Sequence, residues 1–376
     1  MKFSNIFFNN SSFEKNNSLI EFSELIKKAN FFHQDSSGIY STLSLGLILE
    51  EKIISIIVEE LDKVGFSQVR LSNIQESSLW KNSERYEKYG DELFKLKNRK
   101  GSEFVLGATC EEQITTIVKD YYNFKNTNLK IFQIGNKYRD EIRTKACLIR
   151  AKEFLMADAY HFSNDNESIL TTYNSVKKAY INIFNRLGID FHIVKSDVGE
   201  MGGNYSEEFR CKSVFGEDKI DNDTYLEIGH IFNLGSHYSK KFGLYGNSKN
   251  EVYMSCFGIG VSRLIMALLE QRKDDKGFFG DKYFSTFDVI LSVIDYKKIK
   301  DKADYIYNAL KSNGVNVLLD DRDISAGNKF NDAELIGINK RLVISKKSIE
   351  NERYEILTRK DFSVDMITEN DLLNYK

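Results

Sequence analysis

The chain has 376 residues, 41% apolar and 29% charged, with a net charge of −2. That length favours two domains, and that balance fits an ordinary soluble globular protein. The near-zero charge excludes a globally basic nucleic-acid binder, so any such partner has to be met by a local basic surface.

At the N-terminus, "MKFSNIFFNN" has no signal-peptide core and no transit-peptide character. Gly46 to Val64, "GLILEEKIISIIVEELDKV", carries apolar residues at helical spacing, which predicts a long amphipathic helix. "SEFVLGATCEEQITTIV" reads as a strand, a Gly-containing turn and a helix opened by Glu111 and Glu112. "KIFQIGNKYRDEI" and "KEFLMADAYHF" read as two strands joined by a polar loop from Arg143 to Cys147. "SILTTYNSVKKAYINIFNRLG" is predicted to be a helix ended by Gly188. "YMSCFGIGVSRLIMALLEQR" reads as a strand, a Gly-x-Gly turn and a helix from about Val261. Periodicity fades in "QRKDDKGFFGDKYFS", so the predicted domains are residues 1–280 and 281–376. Beyond that point strands "FDVILSVI", "VNVLLDD" and "KRLVISK" alternate with helices "IKDKADYIYNALKSNG" and "NKFNDAELIG". This is the pattern of a small α/β domain with a mixed sheet. No apolar run reaches the ~18 residues of a membrane span.

Several positions carry possible chemistry. Arg139 and Glu141 end one predicted strand, and Arg150 returns on the next. Antiparallel pairing places two guanidiniums on one face, a good polyphosphate clamp, with cross-strand salt bridging as the competing account. "GIGVSR" offers backbone N–H groups to a phosphate, although a lone GxG is more often a tight turn. Arg263 in the first helical turn opposes the macrodipole and hints at an anionic ligand. "GATCEE" gives Thr109 an N-capping role, or gives Glu111 the role of holding a cationic amine. Cys110 has no nearby His in sequence and is a poor thiol nucleophile. Cys110, Cys147, Cys211 and Cys256 lack CxxC spacing, which speaks against zinc and disulfides and suits a reducing cytosol. Glu227, His230 and His237 invite a metal-hydrolase reading, but HExxH is absent.

In order, "GATCEEQIT", "KYRDEIRTKACLIRAKEFLMADAYHF", "EMGGNYSEEF", "EIGHIFNLGSHYS", "MSCFGIGVSRLIMALLEQ" and "VNVLLDDRDISAGNKFNDAELIGI" closely resemble the bacterial-type prolyl-tRNA synthetases, collinearly from residue 1 to about residue 350. The resemblance implies an α+β catalytic domain, with an antiparallel sheet flanked by helices, and a C-terminal α/β anticodon-binding domain. It implies a cytoplasmic ligase that uses ATP and Mg²⁺ but no zinc, takes proline and proline tRNA, and touches no membrane. The helix from Gly46 would be the dimer-forming motif 1, the segment from Lys137 motif 2 and "GIGVSR" motif 3. By resemblance, Arg139 meets the α-phosphate and the proline, and Arg150 and Arg263 meet the remaining phosphates. Glu141 and Phe154 sit at the adenine, and Glu227 near the ribose or a Mg²⁺. Thr109, Glu111, His230 and Cys256 line the proline pocket, with Glu111 facing the secondary amine. Arg322 and Lys329 are the anticodon candidates. The alternative within the family is a paralogue that binds as a regulator or charges another acceptor.

The chain departs from the family in two ways. "FGEDKIDNDTYLEIGH" bridges the place where bacterial members usually carry an editing insertion. A pocket alone discriminates weakly against a smaller apolar amino acid, so alanine mischarging is expected. The second departure is that the chain contains no proline; the usual ~5% would give roughly 19, and chance absence is on the order of 1 in 10⁸. Ala108, Thr144, Ser44, Ala326 and Asn339 stand where the family carries proline, Cys110 where it prefers His, and Lys152 where motif 2 has Arg. An enzyme translated while charged prolyl-tRNA is scarce, or one engineered without proline, fits this pattern.

Overall fold

The computed structural model describes residues 1–8, 21–121, 128–220, 222–246, 249–281 and 283–375. Asn9 and Asn10 of the N-terminal stretch lie outside them. The chain forms two compact units interleaved in sequence. One takes Gln34–Tyr40 and Ile53–Leu268, the other Met1–His33, Ser41–Lys52 and Leu269–Lys376. A single cut near residue 280 therefore follows sequence order and not packing.

Helix α1 (Ser44–Lys63) starts two residues before the predicted Gly46, because Leu47 N–H already donates to Leu43 C=O at 2.8 Å. Leu45, Leu49, Ile53, Ile57 and Leu61 recur at four-residue spacing and are all buried. The helix ends where Gly65, at φ +87°, takes a left-handed conformation that side chains avoid.

The first unit is organised by an eight-stranded sheet. Its strands are β1 (Ser67–Gln68), β2 (Asn128–Tyr138), β3 (Glu153–Ser163), β4 (His192–Ser196), β5 (Tyr205–Lys212), β6 (Asp218–Ile220), β7 (Asp223–Gly235) and β8 (Tyr253–Gly260). The spatial order is β1-β2-β3-β8-β7-β5-β4, with β6 paired to β7. All pairs are antiparallel except β1–β2. The predicted strand pair thus forms the second and third strands of the sheet, with Tyr138 opposite Glu153.

Between β1 and β2 lies helix α2 (Glu111–Tyr121), and after β3 comes α3 (Asn166–Arg186). Asp165 caps α3 by accepting from the N–H groups of Glu167 and Ser168 at 3.0 and 3.1 Å. Gly188, at φ +61°, closes it as predicted. Tyr173, Val176, Tyr180, Ile183 and Phe184 form the buried stripe of α3, and Tyr180 and Phe184 pack on Phe209 of β5 at centroid distances of 5.6 and 5.3 Å. Each such fully buried side chain contributes about 1.5–3 kcal/mol. A Cβ at Gly229 of β7 would come within 3.2 Å of Phe184, so the ring would have to give way to any side chain here. With α3 covering one face, the other face of the central strands is free to carry a site.

"GIG" is not a turn. Gly258 and Gly260 are the last residues of β8, which leads directly into helix α4 (Val261–Gln271). The second unit contains a five-stranded sheet of β9 (Val289–Val293), β10 (Val317–Asp320), β11 (Lys340–Ile344), β12 (Arg353–Thr358) and β13 (Val364–Thr368), in the order β10-β9-β11-β12-β13. β9 is parallel to β10 and β11, and the remaining pairs are antiparallel, so the sheet is mixed as expected. Helices α5 (Tyr296–Ser312) and α6 (Ala326–Ile336) match the two predicted helices to within a few residues.

Candidate active site

The free face of β3, β7 and β8 floors a cavity of about 300 Å³. The two-residue period of a strand selects its lining: Phe154, Met156, Asp158 and Tyr160 of β3 all face it. Antiparallel register brings His230 opposite Gly258, and Phe232 opposite Cys256. Ten of the predicted residues line this one cavity: Arg139, Glu141, Arg150, Phe154, Glu227 and Arg263, together with Thr109, Glu111, His230 and Cys256.

The three arginines differ in how far they are committed. Arg139 lies just past β2, with its guanidinium 5.3 Å from the Phe154 ring centroid. Its Nη2 donates to Ala108 C=O at a marginal 3.5 Å, and its buried Nε has no hydrogen-bond partner. A buried donor without an acceptor is unfavourable unless a ligand completes it. Arg150 follows a tight loop in which Ala146 and Cys147 both take positive φ, at +43° and +55°. Its Nε donates to Glu141 at 2.7 Å and its Nη1 to Glu217 at 2.8 Å. Glu217 is 59% exposed, so that second pairing is easily exchanged. Arg263 is braced by backbone carbonyls, donating from Nε to Ile149 at 3.2 Å and from Nη1 to Glu227 at 3.0 Å. Those carbonyls, and not only a ligand, explain a cation in the first turn of α4.

Glu227 accepts from His230 Nδ1 at 3.2 Å and stands 3.8 Å from Arg263. Burial disfavours its charge, but the His230 hydrogen bond and the charges of Arg263 and Arg139 outweigh it and hold the carboxyl below the usual range. Its side chain is still 37% accessible, because the cavity itself admits solvent. His230 stacks on Phe232 at 3.8 Å, and its buried Nε2 has no partner. Glu208, Glu227 and His230 form a group with metal-ligand atoms within 4.8 Å of one another. His237 is not in that group, so the two-histidine hydrolase centre does not form.

At the other end, Thr109 donates its hydroxyl to Glu111 Oε2. Glu111 and Glu112 open α2 as predicted, and both point inwards to Arg85. Burial pushes the Cys110 thiol up to about 12, and raises Cys256 well above its ordinary value. Neither is a thiolate nucleophile near neutral pH. Sequence reasoning missed the supporting charges. Arg85 was one charge in "NSERYEKYG" with no periodic signal. Lys137 and Asp158 form a buried pair at 2.7 Å across β2 and β3, with Gln133 and Tyr160 donating to the other Asp158 oxygen at 2.9 and 2.6 Å. Their alternation with apolar residues was visible, but their pairing depends on register.

Arg322 and Lys329 are not presented to solvent, which corrects the expectation for them. Arg322 makes two bonds to Asp320 at 2.9 and 2.8 Å and one to Asp332 at 2.8 Å, over the Phe3 ring at 3.5 Å. Lys329 is 1% exposed and donates to the carbonyls of Val293 and Asp320 at 2.7 and 3.0 Å. Both are internal staples of the second unit.

The family profile "tRNA synthetase class II core domain (G, H, P, S and T)" matches residues 94–272, and "Anticodon binding domain" matches residues 288–375. The chain is 34% identical to the proline–tRNA ligase of Wolbachia sp. subsp. Drosophila simulans, and 35% identical to that of Ehrlichia ruminantium. Each alignment covers 93% of both chains. Among solved structures it is similar to Giardia lamblia prolyl-tRNA synthetase in complex with prolyl-adenylate, with a TM-score of 0.83, 21% identity, and coverage of 94% of this chain and 75% of that one. It is also similar to the Cryptosporidium parvum enzyme complexed with L-proline and AMP, with a TM-score of 0.80, 18% identity and the same coverage.

Proposed function

The chain belongs to the proline–tRNA ligase family, and from that membership we propose that it activates proline with ATP and transfers it to proline tRNA. In the first step the proline carboxylate attacks the α-phosphorus, and pyrophosphate leaves. In the second, a hydroxyl of the terminal tRNA ribose attacks the adenylate carbonyl, and AMP leaves. No covalent enzyme intermediate is needed, and the protein supplies position and charge. The observation that carries this reading is one cavity holding Arg139, Arg150 and Arg263 beside a buried carboxylate at Glu111.

The roles are those the family resemblance implies, and the geometry supports them. Arg139, with its unfilled Nε, meets the α-phosphate and the proline carboxylate. Arg150 exchanges its exposed partner Glu217 for an outer phosphate, and Arg263, held by two carbonyls, meets the others. Phe154 and Glu141 receive the adenine. Glu111 takes the secondary ammonium, with Thr109, His230 and Cys256 shaping the pocket around the ring.

Mg²⁺ prefers oxygen ligands and is held by one or two carboxylates plus substrate phosphates. Glu208 is occupied by Arg210 at 2.6 Å and by the Ser196 hydroxyl. Glu227 keeps capacity and fits as the protein's ligand, where the ion would neutralise phosphate charge. We assign residues 1–280 to catalysis and 281–376 to the anticodon, α1 to a homodimer contact, and the cytoplasm as location. Among the described residues no helix is long and apolar enough to cross a membrane. No editing domain interrupts the matched core, so alanine is expected to be charged and not cleared in cis; rapid deacylation of alanyl-tRNA by the purified chain would refute this.

ATP–pyrophosphate exchange with each amino acid, followed by aminoacylation of proline tRNA, tests the whole reading. Proline-dependent exchange and charging are expected. Exchange without tRNA charging would point to another acceptor, and no exchange would sink the proposal.

A further inference from the structure

We propose that Arg85 is the positioning residue that fixes the amine acceptor, a role that rests on the assignment of Glu111 above. Arg85 is 2% exposed and does not line the cavity; it stands behind the wall. Nη1 lies 3.3 Å from Glu111 Oε2, 2.9 Å from Glu112 Oε1 and 2.9 Å from the Tyr238 hydroxyl. Nη2 donates to the Tyr89 hydroxyl at 3.1 Å. The rings of Trp80, Tyr89 and Tyr238 surround the guanidinium at 5.3, 5.1 and 5.9 Å. Such a group is expensive to bury and has to be held by its partners.

The geometry gives the arrangement a direction. Thr109 and Arg85 both engage Oε2 of Glu111, the Cys256 thiol also hydrogen-bonds this carboxylate, and the carboxylate so held faces the cavity. Glu112 is fully buried and raised above the usual carboxyl range, by burial first and by its neighbour Glu111, against the pull of Arg85. One cation therefore serves two carboxylates, of which only Glu111 reaches the cavity. Nη1 meets both acids and Tyr238 while Nη2 reaches Tyr89, a spread that the single nitrogen of a lysine cannot span.

Pyrophosphate exchange with R85K tests this. The expected result is a KM for proline raised on the order of 10-fold, with the KM for ATP within about 2-fold. Y238F, which removes one acceptor and does not line the cavity, should move the proline KM about 2–3-fold in the same direction. Equal changes in both KM values, or none, overturn the proposal. If R85K does not fold, Y238F decides, and an unchanged proline KM then overturns it. Absence of proline exchange in the unsubstituted chain would instead refute the proposed function.

The absence of proline carries a second, independent inference, because the fold has places that suit it. Helices beginning at Asn166, Ala326 and Lys346 each follow an extended residue: Asp165 at ψ 118°, Ser325 at ψ 151° and Ser345 at ψ 166°. The first helical position tolerates proline best, since its N–H has no intrahelical acceptor, and an extended preceding residue is what proline requires. We infer that proline is excluded by how the chain is made: its translation draws on no prolyl-tRNA, so its supply survives scarcity of its own product. The triple variant N166P/A326P/K346P tests this. It should keep proline exchange within about 2-fold and lose no more than about 2 °C in Tm. Under proline starvation, its accumulation should fall below that of the parent expressed from the same promoter. A large Tm loss would make the exclusion structural, and equal accumulation would remove the advantage; either overturns the inference.

Discussion

Arg139 and His230 in the cavity of the first unit and Arg322 and Arg359 in the second unit are partnered in opposite ways. In the cavity, Arg139 keeps a buried Nε without an acceptor, and His230 keeps an unpartnered Nε2. In the second unit, Arg322 is bound to two aspartates, and Arg359 makes a bidentate pair with Asp274 at 2.7 Å for both bonds while its Nε donates to Glu334 C=O at 3.0 Å. Arginine content is not the difference. Arg322 and Arg359, whose partners are all internal, hold the fold together, whereas Arg139 is left incomplete where a cavity admits a ligand.

The strongest way to break this contrast is to exchange activity for stability at the two kinds of arginine. Arg139→Ala is expected to lower kcat for pyrophosphate exchange by about 10²–10³-fold, as loss of one transition-state donor does. Its Tm should hardly move, because it gives up one 3.5 Å bond. Arg322→Ala should do the reverse. It leaves Asp320, which is 0% exposed, with only Lys329 at 3.8 Å as a charged partner, at a loss of about 3–5 kcal/mol. Denaturant unfolding beside exchange kinetics reads both. A stable Arg322→Ala or an unstable Arg139→Ala would erase the distinction.

That distinction was only half legible in the sequence. Periodicity and turn residues located α1, α3, β2, β3 and the alternation of the second unit, because local pattern reports which face is buried. It also offered Arg139 and Arg150 as a clamp, with cross-strand salt bridging as the competing account, and the family resemblance added Arg263; all three line one cavity. What it could not report is the partner. Arg322 and Lys329 sat in a charged stretch that looked solvent-facing, yet Asp320 and Asp332 draw Arg322 inside and two carbonyls draw Lys329. Arg85 and Glu111 are 26 positions apart, and only the packing of α2 joins them. The Gly-x-Gly turn failed for a related reason, since strand pairing of β8 with β3 and β7 overrode a local turn signal.

A smaller effect separates the two regions by pH. Burial opposes charge at Asp274, but the Arg359 pair and the backbone N–H groups of Lys276 and Gly277 outweigh it and hold its carboxyl below the ordinary 3.8. As pH falls, the unfolded chain therefore takes up this proton before the folded one does. The stabilisation is fully present above the unfolded value and is lost as pH drops through the folded one. Asp274→Asn should flatten that part of the acid limb of the stability curve and leave the neutral region of the exchange profile unchanged. An acid limb identical to that of the parent chain would mean that the pair is not coupled to folding.

The smallest expected effect sharpens the chemistry of the cavity itself. Cys110 sits beside Glu111, and a nucleophilic thiol there would make the cavity a covalent site. Its Sγ accepts from Gln133 Nε2 at 3.2 Å and from Gln75 Nε2 at 3.6 Å, and burial pushes its thiol up to about 12. Nucleophilicity requires the thiolate, which is scarce at neutral pH for such a group. Cys110→Ala should therefore keep proline-dependent exchange within about 3-fold, the change being one of packing alone. Alkylation of the folded chain at Cys110 should be slow and should speed up on unfolding. Loss of activity on the scale of Arg139→Ala, together with rapid alkylation at neutral pH, would replace charge neutralisation by covalent catalysis, and the incomplete arginines would then need a different explanation.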